Sequence, residues 1–107
     1  MPVDTMMPTD GEVPVTKSVQ VCIEGKVQGV WFRAGTEQQA RALGLNGWVR
    51  NCPDGSVQAL FSGPAAAVDR MVTACHDGPP NARVTSVTPD PAEAPDQDGF
   101  QIRRDGA

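Results

Sequence analysis

Holding an anion takes converging N–H donors and a fixed positive charge, and the run Gly25-Lys26-Val27-Gln28-Gly29-Val30-Trp31-Phe32-Arg33 can supply both. Glycine-permitted turns leading from a strand into a helix let several backbone N–H groups converge beside an electropositive helix N-terminus. Arg33 falls at the start of that helix, where its planar fork can grip two oxygens of a tetrahedral oxyanion while the amides take the others. The same residues admit a plainer arrangement. Glu37 lies four positions beyond Arg33, and taken alone the pattern fits a weak surface ion pair better than a ligand site.

The rest of the inventory narrows the chemistry. The chain has 107 residues, with 9 Lys+Arg against 13 Asp+Glu, a formal charge of −4, 3 Cys and a single His. Its length suits one domain around one core. Cys22, Cys52 and Cys75 show no CxxC spacing and His76 has only Cys75 beside it, so neither a structural zinc site nor a disulfide framework is expected, and no cofactor. An acidic chain with dispersed bases is a poor general binder of nucleic acid. No apolar run approaches the roughly 18 residues of a membrane span, and the N-terminus lacks a signal peptide's basic start and apolar stretch, so the expectation is a cytoplasmic protein, monomeric and free of membrane. The charge is uneven. Residues 1–16 carry Asp4, Asp10 and Glu12 and no base; residues 17–51 carry Lys17, Lys26, Arg33, Arg41 and Arg50 against Glu24 and Glu37; residues 52–107 are again acidic. The positive third is where a small anion would be concentrated.

The elements that must position these groups follow from periodicity. Residues 1–16, with Pro2, Pro8 and Pro14, read as a disordered tail, and residues 17–107 as the domain. Val19, Val21 and Ile23 alternate with polar partners as a first strand. Phe32, Thr36, Ala40 and Leu43 share one face of a helix that Gly44 stops. Leu45 to Asn51 reads as a second strand, with Val49 and Asn51 on one side and Trp48 and Arg50 on the other. Pro53-Asp54-Gly55 turns it into a third strand, Ser56 to Ser62. Pro64 opens a second helix whose apolar stripe is Ala65, Val68, Met71, Val72 and Cys75. Residues 82–88 form a fourth strand, 89–98 a Pro/Asp-rich connection, and a short last strand turns Phe100 and Ile102 inward. The order βαββαβ, plus a short extra C-terminal strand, predicts an α+β, ferredoxin-like (split βαβ) sandwich with two helices on one face of a mostly antiparallel sheet. Strand parity puts Asn51 on the helix side, the side of the loop and of Arg33.

Two runs carry a resemblance. Gly-Lys-Val-Gln-Gly-Val-Trp-Phe-Arg (25–33) resembles the G-x-V-Q-G-V-x-F-R signature of the acylphosphatase family, and Gly47-Trp48-Val49-Arg50-Asn51 resembles its G-W-V-x-N signature. Gly78-Pro79, Ala82-Arg83-Val84 and Phe100-Gln101-Ile102 are similar to later family segments, so the likeness spans about residues 17–104. It implies metal-free hydrolysis of acyl phosphates to a carboxylate and inorganic phosphate, the latter a product and inhibitor. By the same resemblance, Arg33 binds phosphate together with the amides of Gln28, Gly29, Val30, Trp31, Phe32 and Arg33, and Asn51 orients the attacking water. Thr36 matches a family position that we read as packing.

Some features depart from the family or stand apart from it. Cys52 follows Asn51 where the family often has a polar residue, and is read as a tolerated turn residue. Gly35 is expected to leave the site roomier. Trp31 and Trp48 read as packing residues rather than a ligand-stacking pair, and His76 as a helix-end charge. The same domain type opens a larger hydrogenase-maturation protein that handles carbamoyl phosphate, so a phosphate- or carbamoyl-phosphate-binding module without turnover is the alternative. The chain's end at Ala107, without further domains, favours the free-standing enzyme. RNA-recognition domains share the element order, but strands one and three here lack the aromatics that such domains present on the open sheet face. The motifs specify phosphate and leave the acyl side open.

Overall fold

A computed structural model describes residues 15–103. Residues 1–14 of the expected tail lie outside the described residues, and Thr16 already belongs to the first strand. In chain order the elements are β1 (Thr16–Lys26), α1 (Phe32–Ala42), β2 (Asn46–Asn51), β3 (Val57–Pro64), α2 (Ala65–Cys75), β4 (Arg83–Pro91) and β5 (Phe100–Ile102). The strands make one sheet in the order β4-β1-β3-β2-β5. All neighbours are antiparallel except the parallel pair β2–β5. This is the ferredoxin-like arrangement expected, with the short extra strand added at the β2 edge.

One face of this sheet and the inner faces of both helices share a core. Val21, Ile23, Val49, Val57, Ala59 and Phe61 of the sheet meet Phe32, Ala40, Val68, Met71 and Cys75 of the helices in one buried cluster. Phe100 joins it from β5, its ring stacked on Phe61 at 5.7 Å between centroids. Helix α1 ends as Gly44 predicts. Gly44 has φ 71°, its N–H donates to Arg41 O at 3.1 Å, and the Leu45 N–H donates to Ala40 O at 2.9 Å. These paired bonds satisfy carbonyls that the helix end leaves open and turn the chain directly into β2.

Two expectations need correction. The fourth strand runs on to Pro91, three residues into the segment read as a connection. Proline argued against a strand there, but β4 is an edge strand. The even-numbered residues carry its ladder, since the Ala92 N–H donates to Ser18 O at 3.0 Å, so Pro89 and Pro91 turn their missing N–H groups away from the sheet. Ile102, expected to face inward, is 38% exposed whereas Phe100 is buried. Paired with Val49 in the ladder, Ile102 lines an open cleft beside Phe32 and Asn51 instead of entering the core. The segment after β4 must travel from one sheet edge to the other, and residues 93–97 line a groove with Trp48 and Leu60 on the face away from the helices. That crossing accounts for the burial of Leu60 on an otherwise open face. Among the described residues no helix is long and apolar enough to cross a membrane.

Candidate active site

The loop between β1 and α1 has only residues 27–31 in which to reverse the chain. Val27 and Val30 are buried in the core and anchor it. Gly29 and Trp31 both take left-handed conformations, φ 75° and φ 67°. Left-handed residues at alternate positions swing neighbouring N–H groups toward a common concavity, which suits an anion. Trp31 is also the N-cap of α1, yet its side chain makes no capping bond, and the first helical turn, Phe32 to Gly35, contains no acid. The first N–H groups of a helix find no partner within it and carry the positive end of its dipole, and in α1 that end directly adjoins the loop.

Asn51 reaches the same place from the far end of β2, where it is 9% exposed on the helix side of the sheet. The hairpin that follows is tightly set. The Cys52 N–H donates to Ser56 O at 2.8 Å and the Gly55 N–H to Cys52 O at 3.1 Å. Asp54 Oδ1 accepts from the Ser56 hydroxyl at 2.6 Å and from the Ser56 N–H at 2.9 Å. Those two bonds, the hydroxyl's first, hold the Asp54 carboxyl below its usual range. Cys52, half-buried, acts here through its backbone, in keeping with a turn role.

What joins loop to hairpin is a side chain that no sequence signal marks. Gln28 Nε2 donates to Cys52 O and to Ser56 O, each at 2.8 Å. One side-chain amide thus ties the loop that carries the convergent N–H groups to the turn that carries Asn51. No local pattern could have revealed it, because both acceptors are backbone carbonyls more than twenty residues away.

A cleft of about 410 Å³ opens between these pieces, lined by Gly29, Trp31, Phe32, Arg33 and Asn51, with Ile102 at its edge. Arg33 and Asn51, drawn from separate motifs, are therefore brought together. Gln28 and Val30 line instead the opposite flank of the loop, beside Lys26, Asn81 and Arg83. Glu37 forms an ion pair with Arg41 one turn farther along α1, 3.1 Å from Nη2. Arg41 also donates through Nε and Nη2 to Phe100 O, which straps β5 to α1.

Other expectations change. Gly35 lines a separate cleft with Phe32, Thr36 and Met71, so it does not enlarge the site. Trp31 does not pack: it is 80% exposed. Trp48 lies on the opposite face of the sheet, with the Arg50 and Arg103 guanidiniums 5.5 and 4.7 Å from its ring. His76 caps the C-terminal end of α2 and is exposed, remote from the cleft lining. Burial pushes the Cys22 thiol up and the Cys75 thiol up to about 12, so neither is a thiolate nucleophile at neutral pH. Among the described residues no group of three His, Cys, Asp or Glu is placed to hold a metal ion.

Comparison with known proteins bears on this geometry. The family model described as Acylphosphatase matches residues 19–102. An acylphosphatase of Rhodospirillum rubrum is 57% identical over 84 residues, covering 78% of this chain and 92% of that protein. One from Rubrobacter xylanophilus is 51% identical over 90 residues, covering 82% of this chain and 81% of its own length. Among solved structures, an acylphosphatase from Coxiella burnetii superposes with a TM-score of 0.79 at 32% identity, over 82% of this chain and 93% of that one.

Proposed function

The chain belongs to the acylphosphatase family and hydrolyses acyl phosphates, and we propose that it does so in the cleft between the 28–33 loop and Asn51. The observation that carries this assignment is the meeting of Arg33 and Asn51 in one cleft beside the N-terminus of α1. The Arg33 guanidinium and the amides of the loop hold the non-bridging phosphoryl oxygens. The Asn51 side chain, acceptor and donor at once, fixes a water opposite the acyl oxygen but cannot deprotonate it. The water oxygen bonds to phosphorus as the P–O bond to the acyl group breaks, and the carboxylate leaves with the electron pair. A carboxylate of low pKa departs without a general acid, so positioning and charge stabilisation suffice. The water's proton passes to a phosphate oxygen of the substrate.

In this reading the enzyme needs no metal, works as a cytoplasmic monomer and is inhibited by its phosphate product. Three thiols without a disulfide suit a reducing compartment. The test is hydrolysis of benzoyl phosphate in EDTA, with inorganic phosphate competing. Arg33→Gln should nearly abolish both turnover and phosphate inhibition. Asn51→Ala should lower kcat by roughly 10²–10³-fold, the loss expected for one preorganised polar group. Unchanged turnover in Asn51→Ala with weakened phosphate inhibition would refute the water-orienting role. A rate-controlling group titrating near pH 6–7 and removed by changing Glu37 or His76 would refute substrate-assisted proton transfer. Absence of turnover in a clean preparation would leave a phosphate- or carbamoyl-phosphate-binding module.

A further inference from the structure

Trp31 is difficult to explain as part of the scaffold. At φ 67° its backbone holds a left-handed conformation that is strained for a bulky side chain. With the ring 80% exposed, its burial offsets little of that strain. Strain held at a bulky side chain beside reactive groups points to use of that side chain.

Exposure around the cleft has a direction. Asn51 at the floor is 9% exposed, Ile102 is 38% exposed and Trp31 is 80% exposed. The polar groups, Arg33 and Asn51, share the cleft with an indole and a branched aliphatic chain supplied by separate elements, one by the loop and one by the last strand. An acyl phosphate has the same two-part character, a charged phosphoryl group joined to an acyl group that must lie outside the phosphate cradle.

We propose that Trp31 and Ile102 form an acyl-binding wall that makes this enzyme selective for acyl phosphates with flat aromatic or bulky apolar acyl groups over acetyl phosphate. The wall rests on the placement of phosphate at Arg33 proposed above. An aromatic acyl group stacks on the exposed indole and covers Ile102, removing apolar surface from water on both sides. A single methyl group reaches neither.

The experiment compares kcat/KM for benzoyl phosphate and acetyl phosphate in the wild-type chain, Trp31→Asn and Ile102→Ser. Asparagine tolerates the left-handed conformation, so Trp31→Asn removes the ring while keeping the loop's path. The benzoyl-to-acetyl ratio should exceed one in the wild type and fall about tenfold in Trp31→Asn, with a smaller fall in Ile102→Ser, a size in keeping with partial loss of one apolar contact surface. Two variants on separate elements keep the test independent of either one's folding. Equal loss on both substrates, leaving the ratio unchanged, overturns the wall while leaving the phosphatase intact. A wild-type chain that turns over neither substrate overturns the proposed function, and the wall with it.

Discussion

Among single residues, Gln28 ties the loop that carries Arg33 to the turn that follows Asn51. Arg33 and Asn51 each sit in a compact motif, and strand parity suffices to put them on one side of the sheet. Gln28 sits in the same motif, but its function lies in two long-range bonds to the carbonyls of Cys52 and Ser56. Each neutral hydrogen bond contributes about 0.5–1.5 kcal/mol net, and an abandoned, partly buried carbonyl costs more than an exposed one. Gln28→Ala should therefore lower stability by about 1–3 kcal/mol in urea unfolding. Because the clamp ties the loop proposed to hold phosphate to the turn beside the residue proposed to orient water, kcat should fall by more than phosphate inhibition weakens. Gln28→Glu should be at least as damaging, since a carboxylate has no donor for either carbonyl. Wild-type stability and kcat in both variants would show the clamp to be incidental. Trp31 is hard to read for a related reason: a tryptophan is ordinarily a packing residue, and only its 80% exposure at the N-cap of α1 reveals otherwise.

At the scale of elements, the parts of the sequence that were hardest to read are those decided by a neighbouring strand. Gly47 illustrates this. It opens the second motif and has φ 140°, and a Cβ there would lie 1.8 Å from Leu60 O on β3 and 3.3 Å from the Phe100 ring. Gly47 is also where β5 attaches, since the Gly47 N–H donates to Gly99 O at 3.0 Å and the Gly99 N–H to Asn46 Oδ1 at 2.8 Å. Gly47→Ala should thus push β2 from β3 and loosen β5 together, a larger loss than the roughly 1 kcal/mol expected of an ordinary exposed left-handed glycine such as Gly44. Thermal melts of Gly47→Ala and Gly44→Ala side by side measure the difference, and equal shifts would refute the close-approach argument. The helix boundaries and the β2–β3 hairpin were legible because local signals set them, Gly44 at one and Pro53-Asp54-Gly55 at the other. The run of β4 through Pro89 and Pro91 was not, because whether a proline is tolerated depends on which side of the strand has a partner.

At the scale of the whole molecule, a formal charge of −4 should repel an anionic substrate, yet the charges near the loop oppose that sum. Lys26 and Arg83 face each other across β1 and β4, both exposed, on the flank of the loop opposite the cleft. Like charges directly opposed in a ladder destabilise a sheet. Their placement beside the Arg33 loop gives the pair a use, because exposed charges within a Debye length of a site guide an incoming anion, and that length shrinks from about 30 Å at 0.01 M salt to about 8 Å at 0.15 M. If the local field governs encounter, kcat/KM for benzoyl phosphate should fall several-fold over that range while kcat, which reflects bound substrate, stays level. Changing both Lys26 and Arg83 to Gln should flatten the dependence and relieve the ladder's repulsion. If the net charge governs instead, added salt screens repulsion and kcat/KM rises. Composition fixes the sum of charges and cannot distinguish these outcomes; the pairing of β1 with β4 decides which charges the substrate meets first.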